Sequence, residues 1–123
     1  MSTLLGKRFV TPEEYLEEEE LAERKSEYRN GEVFLMAGTS SSHNLIVTNL
    51  VVELASQLRK RPCKVYSQDL RLRVSPTGLY TYPDVMVTCG DEQFLNGPRT
   101  STLLNPILIV EVLSDSTRDY DRG

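Results

Sequence analysis

The sequence predicts one mixed α/β (α+β) domain in which helices flank a β-sheet. Three observations favour this fold class: a capped acidic helix near the start, an Asn-Gly turn directly after it, and two apolar strands late in the chain. The predicted order is helix, hairpin, helix, strand, strand, strand, and the later strands are apolar enough to be buried. A length of 123 residues suits a single hydrophobic core.

The composition narrows the class of protein. With 14 basic and 18 acidic side chains the net charge is −4, which argues against a protein that coats nucleic acid nonspecifically. This net charge is still compatible with an enzyme that binds a metal ion at an acidic site. The two cysteines, Cys63 and Cys89, match no zinc-binding spacing and are expected to be reduced thiols. We expect a cytoplasmic protein, because neither a signal-peptide region nor a membrane-length apolar run stands out.

The first predicted helix lies in "TPEEYLEEEELAERKSE". Thr11 is the expected N-cap, Pro12 takes the first helical position and Glu14 completes a capping box. The glutamates at positions 17–20 are expected to form a solvated face, because unpaired carboxylates are seldom buried. The segment is therefore a predicted surface helix.

A β-hairpin is predicted in "KSEYRNGEVFLMAG", since Asn30 and Gly31 both tolerate a positive φ. A two-residue turn predicts the cross-strand pairs Arg29–Glu32, Tyr28–Val33, Glu27–Phe34 and Ser26–Leu35. Alternation directs the apolar side chains to one face, and Glu27 and Arg29 to the other. By itself, the pattern makes Glu27 a solvated hairpin residue.

A second helix is predicted in "GTSSSHNLIVTNLVVELASQLRKRP", capped by Ser41 or Ser42 and stopped by Pro62 after a basic last turn. One side of it faces a core, through apolar residues spaced three and four apart: Val47, Leu50, Val51, Leu54 and Leu58. His43 stands at the N-terminal edge of that apolar face. A lone histidine there is more often a capping or core residue than a catalyst.

The next segment, "CKVYSQDLRLRV", alternates with a period of two and predicts one strand. One face carries Tyr66, Gln68, Leu70, Leu72 and Val74, and the other carries Asp69, Arg71 and Arg73. Gln68 is then either a polar neighbour of a metal site or a buried amide bonded to the backbone. "SPTG" is the predicted turn after this strand, and "GDEQFLNGPRTSTLLN" is predicted to be a polar loop.

Two carboxylates interrupt the apolar strands. Asp84 precedes the apolar run in "YPDVMV", and Glu111 lies within "ILIVEV", where it is expected to be a strand residue. A buried ionised carboxylate needs a partner, because desolvation without one costs several kcal/mol. Two such groups on neighbouring strands suit Mg²⁺, which can activate water and stabilise charge on a phosphodiester. An ion pair of Glu111 with Arg71 or Arg73 would satisfy the charge equally well.

The segments "SEYRNGEVFLMAGTSSSHNLIV", "YPDVMV" and "ILIVEVLSDSTRDYDRG" together resemble the Uma-two (Uma2, DUF820) family of bacterial restriction-endonuclease-like proteins, within the PD-(D/E)xK nuclease superfamily. The resemblance implies a restriction-endonuclease-like mixed sheet in residues 1–123. It also implies an endonuclease that hydrolyses DNA phosphodiester bonds with Mg²⁺ or Mn²⁺. Asp84 and Glu111 would be the metal ligands and catalytic residues. Glu27 would be an accessory glutamate and His43 a histidine close to the site.

The sequence departs from the superfamily pattern at one position. Leu113 stands where E-x-K would place the lysine, and the resemblance implies a lysine on a following helix, which would begin around Thr117. We therefore expect the C-terminal helix and strand to be missing, leaving apolar surface near "ILIVEV" that would favour a homodimer. Two functions stay open: a metal-dependent nuclease, and a noncatalytic relative that acts as a binding or interaction module.

Overall fold

The computed structural model describes residues 3–4, 9–97 and 101–113, and within them the fold is mixed α+β, as the sequence predicts. Two helices and ten strands form in these residues. The elements are β1 (Thr3–Leu4), α1 (Pro12–Leu21), β2 (Ser26–Arg29), β3 (Glu32–Leu35), α2 (Ser41–Gln57), β4 (Cys63–Ser67), β5 (Arg71–Ser75), β6 (Leu79–Thr81), β7 (Val85–Cys89), β8 (Phe94–Asn96), β9 (Ser101–Leu103) and β10 (Leu108–Val110). The helix expected from about Thr117 lies outside the described residues.

The strands form two sheets. The first sheet has seven strands in the order β1-β3-β2-β6-β5-β9-β8, and β5 and β9 are its parallel pair. The second sheet has three antiparallel strands in the order β10-β7-β4. Helix α2 packs on β4 and β7 of the second sheet, whereas α1 packs on β2 of the first.

Local sequence signals specify the N-terminal elements correctly. The Thr11 hydroxyl accepts from the backbone N–H of Glu14 at 3.2 Å, and the Glu14 carboxylate accepts from the backbone N–H of Thr11 at 2.9 Å, so the capping box is confirmed. The hairpin turn is confirmed with φ 46° at Asn30 and 95° at Gly31. All four cross-strand pairs expected between β2 and β3 are present.

The predicted single strand between residues 63 and 74 is wrong. The chain leaves the second sheet after β4, turns at Asp69, where φ is +81°, and enters the first sheet as β5. The positive φ at Asp69 breaks the alternation. Consequently Arg71 is buried, with 3% of its surface exposed, while Val74 is 55% exposed.

The predicted polar loop after residue 90 is also wrong in part. It contains β8 and β9, which pair with each other, and β9 also pairs with β5. The apolar strand expected directly after Asp84 is present as β7, from Val85, whereas β6, which ends at Thr81 in the other sheet, was not predicted. The short strands β6, β8 and β9 show no apolar run or alternation long enough to be recognised from sequence.

The expectation of reduced cysteines is corrected by a disulfide between Cys63 and Cys89. The two residues are directly opposite each other on β4 and β7, with Cα atoms 4.0 Å apart. They are separated by 26 positions in sequence. Their proximity depends on the β4–β7 register, which the sequence did not reveal.

Two clusters form the core. Val10 packs with three tyrosines between α1 and the first sheet: Tyr15, Tyr28 and Tyr80. A second cluster joins the sheets, because Met86 of the second sheet packs with Leu72 and Leu103 of the first. Among the described residues, no helix is long and apolar enough to cross a membrane.

Candidate active site around Asp84

Asp84 lies directly before β7, at the end of the second sheet that faces the start of α2. The strand behind it is buried, since Val85, Met86 and Val87 each expose 1% of their surface or less. Asp84 itself is 8% exposed. Pro83, directly before Asp84, has no backbone N–H to donate. It is buried, as Asp84 is. The carboxylate is therefore held at the boundary between core and solvent.

Three donors converge on the Asp84 carboxylate. Oδ1 lies 3.0 Å from His43 Nε2 and accepts a hydrogen bond from Gln68 Nε2 at 3.2 Å. Oδ2 accepts from the backbone N–H of Val112 at 2.7 Å. These contacts bring together α2, the segment after β4 and the segment after β10. Gln68, which the sequence left as either a site neighbour or a backbone-bonded amide, contacts the carboxylate.

His43 reaches Asp84 because of how α2 begins. The N-cap is Ser40, which precedes the predicted caps Ser41 and Ser42, and its hydroxyl accepts from the backbone N–H of His43 at 3.1 Å. Val47, one turn later, is buried and fixes the helix against its neighbours. With an ionised carboxylate opposite it, His43 Nε2 must carry a hydrogen to bond. The predicted orientation of His43 toward Asp84 is observed.

Glu111 follows the end of β10. Strand β10 pairs with β7 through Leu108–Val87, Ile109–Met86 and Val110–Val85. The pairing ends at Val110–Val85, and one further pair in the same antiparallel register would set Glu111 opposite Asp84. The hydrogen bond from Val112 to Asp84 supports that placement. The expectation that Glu111 is a buried strand residue is wrong, because it is exposed and lies beyond the strand.

The environment of β10 explains this exposure. It forms one edge of the second sheet, and no element among the described residues covers it. Ile107, Leu108 and Ile109 are each more than 40% exposed. Apolar surface near this segment was expected from the sequence. The apolar run predicted that these side chains are buried, and the described part of the chain does not bury them.

Glu27 lies on β2 in the first sheet and has partners there. Its carboxylate accepts from the Thr81 hydroxyl at 2.9 Å and forms an ion pair with Arg29. Thr81 precedes Asp84 by three residues, so the Glu27 carboxylate adjoins the segment that carries the aspartate. A role for Glu27 at the site stays a prediction.

A second polar network reaches the same segment through Tyr82. The Tyr82 hydroxyl donates to the Glu19 carboxylate at 2.6 Å and accepts from the buried Arg71 guanidinium at 3.3 Å. Arg71 also donates to Thr102 at 2.8 Å, so it has partners in the first sheet. Burial raises the pKa of Glu19 above its ordinary value. Glu19 is thus an exception to the predicted solvated glutamate face, while Glu17 and Glu18 are exposed as expected.

The oxygen atoms of Asp84 and Glu111 are the type of ligand that suits a hard divalent cation. Carboxylate oxygens at Asp84 and Glu111 are the ligands that Mg²⁺ prefers, with water completing the shell. In residues 9–97 and 101–113, however, no three His, Cys, Asp or Glu side chains are grouped closely enough to hold a metal ion. The fit therefore rests on two carboxylates and not on a closed protein cage.

Sequence reasoning missed two contributors to this region. The backbone N–H of Val112 has no signature in a side-chain pattern, and Thr81 contacts Glu27 only because β2 and β6 are neighbours. The tyrosine two residues before Asp84 in the sequence was the one available signal of the network around Tyr82.

Comparisons with known proteins find relatives of this chain and the family to which it belongs. The chain is 39% identical over 114 residues to the uncharacterized protein slr1290 of Synechocystis sp., covering 93% of this chain and 58% of that protein. It is 35% identical over 123 residues to the uncharacterized protein sll1609 of the same organism, covering 100% of this chain and 69% of that protein. No solved structure matches it. The family Uma2, described as "Putative restriction endonuclease", matches residues 12–123, and the chain belongs to this family.

Proposed function

We propose that the protein is a divalent-metal-dependent endonuclease that hydrolyses DNA phosphodiester bonds, with Asp84 and Glu111 as the metal ligands. The observation that supports the proposal is the antiparallel pairing of β7 with β10, which ends at Val85–Val110, directly beside Asp84 and Glu111 in sequence. Membership of the Uma2 family supports nuclease chemistry and DNA as the substrate. Mg²⁺ or Mn²⁺ bound there would supply an activated water and stabilise charge on the phosphate.

The residues around Asp84 act as positioning groups in this proposal. His43 and Gln68 hold Oδ1, and the Val112 N–H holds Oδ2, so the carboxylate plane is set before any substrate binds. Preorganised orientation of ligands is a main contribution of a protein to metal-assisted hydrolysis. The burial of Asp84 also limits the water that competes for its oxygens.

The test is cleavage of supercoiled plasmid and linear duplex DNA with Mg²⁺, Mn²⁺ or a chelator. We expect Asp84→Asn and Glu111→Gln each to lower the rate by at least about 100-fold, since outer-shell changes alone cost 10–100-fold. Asp91→Asn is the matched control, because Asp91 is an exposed carboxylate beyond the other end of β7. Thermal unfolding of each variant checks that it is folded.

Metal-independent cleavage, or equal rates for all three variants, would contradict the proposal. Cleavage lost in Asp84→Asn but retained in Glu111→Gln would assign the metal to Asp84 with other ligands.

The alternative function is a noncatalytic binding module on the same fold. One observation favours it: both oxygens of Asp84 already accept hydrogen bonds from the protein. In a module of this kind Asp84 would be a structural acceptor joining α2, Gln68 and the end of β10. DNA binding with no cleavage under any metal condition, in the wild type as in Asp84→Asn, would favour this alternative.

We also infer that a second copy of the chain pairs along β10. This edge strand exposes Leu108 and Ile109, the preceding Ile107 is exposed as well, and the strand contains no charged residue. Bare apolar edges promote strand pairing between chains, and a twofold antiparallel pairing is self-complementary. Light scattering after size-exclusion chromatography should give a dimer for the wild type and Val74→Lys, and a monomer for Ile109→Lys. A monomeric wild type would refute the inference.

A further inference from the structure

Three consecutive basic residues, Arg59, Lys60 and Arg61, form the turn after α2; we call this turn the basic platform. All three are exposed. None of them makes an ion pair within residues 9–97 and 101–113. This differs from the other lysines of this part of the chain, since Lys25 pairs with Asp69 and Lys64 pairs with Glu92. The platform thus presents three uncompensated positive charges.

The platform is built on fixed backbone. Its start is tied by the hydrogen bonds Leu58 N to Leu54 O and Arg61 N to Leu58 O, each 3.0 Å. Its end is tied by Cys63 N to Arg61 O at 2.7 Å and by Gly90 N to Pro62 O at 2.8 Å. The disulfide from Cys63 to Cys89 fastens the same end to β7. The backbone of such a turn loses little conformational freedom when its side chains bind a ligand.

The charge of the chain is unevenly distributed around this feature. Residues 13–23 contain seven glutamates, all on or next to α1. Residues 41–64 contain four basic residues and one acidic residue, Glu53, although the whole chain has a net charge of −4. A local excess of positive charge on a protein with net negative charge favours binding of a polyanion at that one surface.

Helix α2 connects the platform to the candidate active site. His43, near its start, contacts Asp84, and the platform follows its end at Gln57. At 1.5 Å per residue, His43 and Gln57 are about 21 Å apart along the helix axis. A polyanion that reaches both ends must span this distance. Duplex DNA is stiff over it and places its phosphates every 3.4 Å of axis, so about six base pairs separate the two ends.

We propose that the basic platform binds the phosphate backbone of duplex DNA about six base pairs or more from the phosphate at Asp84. The contact of the other phosphate with Asp84 rests on the proposed function of that site. The platform reads no bases. It neutralises phosphates and fixes the position of the duplex along α2, which is the role of backbone contacts in protein–DNA recognition.

The test measures DNA binding by fluorescence anisotropy in a chelator, so that cleavage plays no part. The variant is Arg59→Gln/Lys60→Gln/Arg61→Gln, and the charge-preserving control is Arg59→Lys/Arg61→Lys. Arg24→Gln, an exposed basic residue after α1, is the remote control. Three lost phosphate contacts predict that wild-type affinity falls about 40-fold more than the variant's affinity when salt rises from 50 to 200 mM.

Duplex length gives a second readout, measured with Ca²⁺ in place of the chelator, because without a metal ion the Asp84 and Glu111 carboxylates would repel the phosphate at that end of the duplex. Wild type should gain affinity when a duplex is extended from about 6 to about 14 base pairs, and the triple glutamine variant should gain much less, because it lacks the distant contact. Both controls should follow the wild type. Single-stranded DNA of the same lengths should show no such step.

The outcomes separate this inference from the nuclease proposal. Equal salt dependence of wild type and the triple variant, or no DNA binding by the wild type, overturns the platform even if plasmid cleavage is observed. A reduced salt dependence with a length step supports the platform even if no protein cleaves DNA. A salt effect that is the same on single strands and on short duplexes also overturns it, because the platform would then be a nonspecific polyanion site.

Discussion

Glu92 is the acceptor of a small polar cluster on β4 and β7. Its carboxylate accepts from the Tyr66 hydroxyl at 2.6 Å, from Lys64 Nζ at 2.9 Å and from the Thr88 hydroxyl at 2.9 Å. The hydrogen bond from Tyr66, followed by that from Lys64, holds the pKa of Glu92 below its ordinary value. Burial, and then this carboxylate, raise the pKa of Tyr66 to about 12.

The lowered pKa of Glu92 makes a pH-dependent contribution to stability. A lowered pKa in the folded state means that the unfolded chain binds more protons, so the contribution is complete above the ordinary pKa of 4.5 and is lost as pH falls through the lower folded value. We expect Glu92→Gln to reduce the free energy of unfolding by about 2 kcal/mol at pH 7, the scale of hydrogen bonds to a charged group.

Urea unfolding of wild type and Glu92→Gln between pH 7 and pH 3 measures this difference. The gap between the two proteins should narrow as pH falls below 4.5, since the wild-type carboxylate becomes protonated. Glu53→Gln, on the exposed side of α2, is the control and should change stability little at any pH. A gap that stays constant with pH would show that Glu92 contributes through packing and not through its charge.

At the scale of single residues, the sequence located part of the candidate site. Asp84 was identifiable because it directly precedes an apolar run, whereas the site role of His43 came from the family resemblance; the structure brings the two residues to 3.0 Å. Glu19 was not identifiable within a run of four glutamates. What distinguishes it from Glu17 and Glu18 is the Tyr82 hydroxyl, which is 63 positions away in sequence and close only in the fold.

At the scale of elements, local chemistry explains which predictions succeeded. The capping box of α1 and the Asn30-Gly31 turn are determined by residues within four positions of one another, so their sequence patterns are sufficient. The division between β4 and β5 depends on the positive φ at Asp69. The formation of the β8–β9 pair depends on its place in the first sheet, beside β5. Both are consequences of tertiary packing that overrides short-range pattern.

The disulfide is the covalent link between two elements, β4 and β7. Closing a loop of 26 residues is expected to stabilise the fold by about 3.5 kcal/mol in the chain-entropy description. Reduction of the disulfide should therefore lower the free energy of unfolding by about this amount. It should also loosen the end of the basic platform, which leads directly into Cys63.

Urea unfolding with and without a thiol reductant tests the disulfide prediction. Cys63→Ser/Cys89→Ser should match the reduced wild type, and it should not respond to the reductant. A wild type whose midpoint is unchanged by reductant, with thiol titration showing two free thiols beforehand, would contradict the presence of the link.

At the scale of the whole molecule, the two sheets meet at one apolar cluster. Met86 of β7 is 0% exposed and packs with Leu72 of β5 and Leu103 of β9. A polar contact lies near the same junction, because Lys25, directly before β2, donates to Asp69 on the segment that joins β4 to β5. The segments that carry Glu27 and Asp84 belong to different sheets. Their relative position therefore depends on this packing.

The last prediction follows from the position of Met86 between the sheets. Met86→Ala should reduce the free energy of unfolding by about 2–5 kcal/mol, because truncation of a fully buried methionine loses apolar burial and leaves a cavity. Val74→Ala, on the exposed part of β5, should change it by less than about 0.5 kcal/mol. Urea unfolding followed by circular dichroism and by tyrosine fluorescence measures both effects. Three of the six tyrosines lie in the α1 cluster and weight the fluorescence toward the first sheet, so coincident transitions would show that the sheets unfold together. A Met86→Ala protein as stable as Val74→Ala, or a wild type in which the two signals unfold at different urea concentrations, would show that the sheets are independently stable and that this cluster does not couple them.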